Sequence, residues 1–253
     1  ATVYTVPTLR VLTTRSFANG IGKNIQAAFE KQHNCLVEYV YLNGVQHLLL
    51  HIQHAQSPGD LVAGLAYEAV ANQELPAFFT FHQIATQKFS GALTSWQNKK
   101  LLPFAYNKLT FIYDNHKIKQ PIDSLEDFLQ SEEKVIIMDP RTSNPGLGLL
   151  LWMKSVYGEK SAVFWKRLRR KLLTVTRSWS DAYALFLNGE APFVLGYTTS
   201  PAYHRLKENT SHIQACHFKE GHYLQFYVAA ILKNSSQLLL AKKYLEYILK
   251  NSS

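Results

Sequence analysis

Three short runs of small polar residues hold the groups best placed to do chemistry: Asn43-Gly44, Thr142-Ser143-Asn144 and Thr198-Thr199-Ser200. Each falls where an apolar β-type run stops and a helical pattern begins. In the second run Asn144 is the expected N-cap, with Pro145 at the first helical position, and Ser200-Pro201 repeats that grammar. In the first, Asn43 is the expected cap and Gly44 allows close approach to the backbone. A helix start leaves free N–H groups and the positive end of the helix dipole, which suit an anionic group. Three together imply a cleft for an anion, or else three turns that do no more than satisfy the first N–H groups of their helices. Trp179, Tyr197 and Tyr203 stand beside these junctions. Their rings can stack on a planar or cationic ligand, or can serve only as core and rim packing.

Other chemistry-bearing residues point less clearly. His47, His51 and His54 lie on one helical stripe, where an i, i+4 pair can chelate a metal, but the pattern fits a solvated polar face better. Lys166-Arg167-Leu168-Arg169-Arg170-Lys171 is the densest basic run, and it reads as one solvated helix face rather than a phosphate grip. There is no G-x-S-x-G elbow, HExxH, P-loop or G-x-G-x-x-G after a strand, so no motif selects an enzyme and none implies a cofactor or metal. Cys35 and Cys216 form no CxxC pattern and stand either as buried thiols or as one long-range disulfide.

The elements that must position these residues alternate. Leu9–Thr13, a helix through Ile25 and Phe29, Leu36–Leu42, a helix from Val45 to Gln56, and Leu61–Leu65 give βαβαβ order, hence a mainly parallel sheet with helices on both faces. A long strand is predicted over Phe104–Asp114. Then follow a helix near Ser124–Gln130, a strand Lys134–Asp139, a helix Pro145–Tyr157, a basic helix Ala162–Lys171, Leu172–Thr176, a helix Asp181–Asn188, a strand Pro192–Tyr197, a helix from Pro201, a strand Tyr223–Leu232 and a final helix Leu238–Leu249. In open α/β sheets ligands bind outside the carboxyl ends of the strands, where the three junctions fall.

The chain has 253 residues, 47% of them hydrophobic and 18% charged, and a net charge of +9 from 27 Lys+Arg against 18 Asp+Glu. That composition excludes disordered and fibrous classes and allows one large α/β unit or two domains. The positive balance attracts anions without naming one. No apolar run reaches the ~18 residues of a membrane span, and Ala1-Thr2-Val3-Tyr4 is not the start of an uncleaved signal peptide. A soluble chain is expected.

Several motifs carry a family resemblance. The segment from Asp139-Pro140-Arg141-Thr142-Ser143-Asn144-Pro145-Gly146 to Trp152-Met153 resembles the periplasmic thiamine-binding proteins of ABC importers, in the bacterial extracellular solute-binding protein family. So do Thr174-Val175-Thr176, Trp179-Ser180, Tyr197-Thr198-Thr199-Ser200-Pro201-Ala202-Tyr203-His204 and Glu220-Gly221-His222-Tyr223-Leu224-Gln225. The resemblance implies a periplasmic-binding-protein-like α/β fold, two lobes joined by a hinge with a ligand cleft between them, and no catalysis. It implies that Asn43, Gly44, Ser143, Trp179 and Tyr197 surround the phosphate end of a thiamine phosphate, with Tyr203 as a stacking face. The chain departs from the family at Thr14 and Arg15, where a stacking Tyr and an acid are usual, at Asn43 in place of an Asp, and at Ala66 and Ala105 in place of acids. It also stops soon after Leu249, short of a segment that usually carries another stacking Trp. Each lost cation–π contact costs about 0.5–2 kcal/mol for a thiazolium ring.

The expected lobes are residues 1–104 with 226–253, and 110–222, with hinge crossings near 105–109 and 223–226. The expected function is capture of thiamine or a thiamine phosphate and delivery to an inner-membrane permease, by a periplasmic monomer that binds no nucleic acid. Arg15, with Thr142 and Asn144, completes the candidate ligand set; a different phosphorylated small molecule is the nearest alternative, ahead of a nucleic-acid binder or an enzyme.

Overall fold

In the computed structural model the described residues are 5–72, 74–85, 89 and 91–251. The Ala1-Thr2-Val3-Tyr4 start lies outside them. The chain divides into two compact units, Ala1–Tyr106 with Phe226–Ser253, and Asn107–Gln225. Each has its own core.

The first unit opens with β1 (Thr8–Leu12), α1 (Arg15–Asn19), α2 (Ile21–His33), β2 (Leu36–Val40), α3 (Val45–His54), β3 (Leu61–Ala66) and the short α4 (Tyr67–Val70). β1 pairs in parallel with both β2 and β3, as the βαβαβ order requires. A two-residue strand β4 (Phe79–Thr80) follows, and β5 (Leu102–Asp114) then runs out of this unit. The chain returns on β10 (Tyr223–Leu232), antiparallel to β3 and β4, and ends in α10 (Leu238–Asn251). The buried apolar faces of β1 and β3 (Leu9, Val11, Leu61, Ala63) share one cluster with Ile25 and Phe29 of α2 and Tyr244, Leu245 and Ile248 of α10. Tyr244 donates to the Tyr39 hydroxyl at 2.9 Å, which donates to the Gly22 carbonyl at 2.7 Å, so the polar ends of that core are satisfied.

The second unit takes the rest of β5 and continues with α5 (Leu125–Gln130), β6 (Val135–Met138), α6 (Asn144–Tyr157), α7 (Ser161–Arg169), β7 (Leu172–Thr176), α8 (Trp179–Leu187), β8 (Phe193–Tyr197), α9 (Ser200–Lys207) and β9 (Ile213–Ala215). β6 is parallel to β7 and β8, while β5 is antiparallel to β8 and β9. Phe111, Phe128, Trp152, Phe193 and Phe218 fill its core, with Phe111 stacked on Phe128 at 4.0 Å.

Cys35 and Cys216 are both free, buried thiols, and burial pushes both thiols up. The basic run does not form a uniformly solvated face. Arg167 makes a two-pronged ion pair with Glu126, 2.6 and 2.9 Å, and Lys171 is buried, donating to the Phe128 carbonyl with its ammonium 3.8 Å from the Phe128 ring centre. Helical spacing over six residues does not reveal this, because α7 ends at Arg169 and Lys171 lies beyond it. No helix among the described residues is long and apolar enough to cross a membrane.

Candidate functional site

In the second unit, three parallel strands deliver three helix starts to one edge. β6 runs into the turn before α6, β7 into α8 and β8 into α9. The caps differ by one residue from the sequence reading. Ser143, not Asn144, caps α6: its backbone is extended and its Oγ accepts from the Gly146 N–H at 3.4 Å, with Asn144 as the first helical residue. Both residue types cap well, and proline is tolerated in either of the first two helical positions, so the sequence does not separate them. Thr199, not Ser200, precedes α9, and the Ser200 hydroxyl instead accepts from the Tyr197 N–H at 3.3 Å. Ser178, which sequence reasoning passed over, caps α8 by accepting from Asp181 N–H at 3.1 Å.

These turns are tied to one another. The Thr142 hydroxyl donates to the Arg177 carbonyl at 2.7 Å, joining the β6–α6 turn to the β7–α8 turn. Asp139, at the end of β6, pairs with Arg141 at 2.7 Å, and the guanidinium holds its carboxyl below the usual carboxylate range. Gly146 is required by contact: a Cβ there would lie 2.6 Å from the carbonyl oxygens of both Met138 and Asp139. The first turn of α6 therefore sits directly against the end of β6, and its N–H groups are carried to the edge.

Aromatic rings stand beside these starts. Trp179, the first residue of α8, stacks on Tyr183 at 4.6 Å and lies near-parallel to Tyr197 at 6.3 Å. Its indole N–H is buried with no hydrogen-bond partner among the described residues. Tyr183 is hydrogen-bonded to Nε2 of the buried His204, whose Nδ1 is 3.2 Å from Glu208. Tyr203, on α9, is exposed and edge-on to His204. The structure thus brings together Thr142, Ser143, Asn144, Trp179, Tyr197 and Tyr203 on the elements that leave the β6–β8 edge.

The remaining candidates, Arg15, Asn43 and Gly44, belong to the first unit and sit at the matching edge there, after β1 and β2. Asn43 does not cap α3. The cap residue is Gly44, at φ 102, a backbone conformation that favours glycine. Thr14 caps α1 by accepting from Phe17 N–H at 3.2 Å, and Arg15 lies exposed over the Tyr41 ring, 5.6 Å from its centre. His51 Nε2 is 3.1 Å from the Pro58 carbonyl, so that member of the histidine stripe is engaged locally. Among the described residues no group of three or more His, Cys, Asp or Glu is placed to hold a metal ion.

Sequence reasoning also missed the aromatic residues of the first unit's edge. Tyr67 follows β3 directly, and its ring is 5.0 Å from Trp96; Trp96 is 5.6 Å from Phe226, and Phe226 is 6.0 Å from Tyr106. A Tyr at the end of the apolar run Leu61–Ala66 was the available signal.

Comparison with known proteins bears on this arrangement. A family model for bacterial extracellular solute-binding proteins matches residues 9–252. The chain is 41% identical to the thiamine-binding periplasmic protein of Escherichia coli (strain K12), over 98% of this chain and 77% of that protein. It is 37% identical to the thiamine-binding periplasmic protein of Brucella suis biovar 1, over 95% and 74%. A solved periplasmic thiamin binding protein superposes with a TM-score of 0.90 at 40% identity, covering 96% of this chain and 78% of that one. The fold is that of the periplasmic binding proteins, and the chain belongs to the bacterial extracellular solute-binding protein family.

Proposed function

We propose that this protein works in the periplasm, capturing thiamine or a thiamine phosphate and handing it to the membrane permease of an ABC importer without catalysing a reaction. The observation that carries the reading is the β6–β8 edge. Three helix starts, two of them joined through Thr142, stand at the carboxyl side of a parallel sheet beside the Trp179–Tyr197 pair. Backbone N–H groups at such starts suit phosphate oxygens, and the rings suit a planar heterocycle. The names of the relatives supply the ligand class.

In this reading Ser143, Thr142, Asn144, Trp179 and Tyr197 serve the phosphate end and Tyr203 offers a stacking face, while Asn43, Gly44 and Arg15 contribute from the first unit. β5 and β10, the strands that run from one unit into the other, serve as the hinge. The protein acts as a monomer and binds no nucleic acid.

A second reading, a different phosphorylated small molecule, is favoured by one observation: Arg15 is held over Tyr41. A guanidinium there adds positive charge, which attracts an anion and repels a thiazolium. Thermal unfolding with thiamine, thiamine monophosphate, thiamine diphosphate and a panel of sugar phosphates separates the two. A ligand at 100 times its Kd stabilises the fold by about 2.7 kcal/mol. A shift with any thiamine compound supports the first reading, and a shift with sugar phosphates alone supports the second.

A further inference from the structure

We propose that Tyr67, Trp96, Tyr106 and Phe226 form the ring-stacking wall of the first unit, against which the heterocycle of the ligand lies. The proposal rests on the thiamine reading above.

Four observations converge on it. The four rings form a chain of edge-to-face contacts, each with its neighbour at 5.0, 5.6 and 6.0 Å. None of the four belongs to the buried core of the unit, to which β5 and β10 instead contribute Leu102, Phe104, Tyr227, Ala229 and Ile231. A cluster of four large aromatic side chains outside the core, with Tyr106 51% exposed, is the kind of apolar surface that marks a binding site. Its place is also telling. Tyr67 follows the carboxyl end of β3, and Phe226 stands just before Tyr227, which pairs with Ala66 at that same end. This is the edge at which parallel α/β sheets take their ligands.

Trp96 is fixed by its indole N–H, which donates to the Leu101 carbonyl at 2.9 Å. Thr14 is occupied in capping α1. Along the same edge Arg15 over Tyr41 follows β1 and β2, so the edge is cationic toward β2 and aromatic toward β3 and β10. A molecule with an anionic group joined to a planar ring matches that order.

The test is calorimetric titration of the wild type and the Tyr106→Ala and Phe226→Leu variants with thiamine, with urea unfolding of each. Tyr106 is half-exposed, so its removal should leave the urea midpoint unchanged. It should weaken thiamine binding by about tenfold, the scale of one stacking contact. If Phe226→Leu does not fold, Tyr106→Ala decides alone. A folded Tyr106→Ala protein that binds thiamine within about twofold of wild type overturns the wall and leaves the thiamine reading standing. A wild type that binds neither thiamine nor its phosphates overturns both.

Discussion

The Trp179 indole lies flat on the Tyr183 ring, centroids 4.6 Å apart and planes 15° from parallel, and the Tyr183 hydroxyl is bonded to buried His204. The ring at the start of α8 is therefore held by a side chain anchored to α9. Glu208, one turn further along, lies 3.2 Å from the other nitrogen of His204 and orients the imidazole. Two helix starts of the candidate site are set by one polar chain.

Replacing Tyr183 with Phe should uncouple them. The ring keeps its stack, but the buried His204 nitrogen loses its partner, which costs about 1–3 kcal/mol. Urea unfolding should show that loss. Ligand affinity should fall as well, through the looser Trp179, even though Tyr183 is buried and touches no ligand in this reading. An unchanged urea midpoint would show that the hydrogen bond contributes nothing.

Much of this frame is legible in the sequence, for identifiable reasons. The parallel strands announce themselves because β3 and β6 are buried on both faces and read as unbroken apolar runs. The helix starts at Ser143 and Thr199 leave polar residues and a proline as signals, although a cap placed one residue early or late looks the same in one dimension. The proposed aromatic wall is not legible, since Tyr67, Trp96, Tyr106 and Phe226 come from four separate segments whose rings meet only in the folded unit. Lys171 is hidden for the opposite reason. Its neighbours in sequence are solvated cations, while its neighbours in space are Phe128 and Phe193.

Burial lowers the Lys171 ammonium to about 8, from 10.5. The unfolded chain therefore binds the proton more tightly, and between those two values wild-type stability rises with pH as the folded state sheds the charge. Buried Cys216 and the buried tyrosines work the other way at alkaline pH, so the measurement is the difference between wild type and Lys171→Met. From pH 7 to pH 10 the wild type should gain about 2 kcal/mol on the variant. A difference that does not change with pH would mean that the buried ammonium keeps its ordinary affinity for the proton, held by the Phe128 carbonyl and the two rings.

His222 should act in the acid range. Its Nδ1–H donates to the Leu109 carbonyl at 2.9 Å and its Nε2 accepts from the Phe218 N–H at 3.2 Å, which fixes the neutral tautomer. Burial is the main cause that lowers its pKa below 6.5, with His217 and Lys108 adding to it. The unfolded chain takes up this proton first, so the stabilisation is complete above pH 6.5 and is lost as pH falls through the lower folded value. A ring-nitrogen NMR titration should find Nε2 unprotonated at pH 6.5. A midpoint at or above that value would contradict the assignment.

Gly146→Ala tests whether the close seat of α6 on β6 matters for binding. The new Cβ would meet two backbone oxygens at 2.6 Å, and neither can swing aside as a side chain could. The first turn of α6 must then move away from the end of β6, at a cost of about 1–3 kcal/mol. The N–H groups at the start of α6 move with it, so an anionic ligand should lose affinity beyond what Ser143→Ala loses through its cap alone. Thiamine monophosphate and unphosphorylated thiamine distinguish the two effects. If α6 serves the phosphate, Gly146→Ala should weaken the phosphorylated ligand by about tenfold more than the unphosphorylated one. Equal losses for both would place the phosphate elsewhere on the edge, toward α8 or α9.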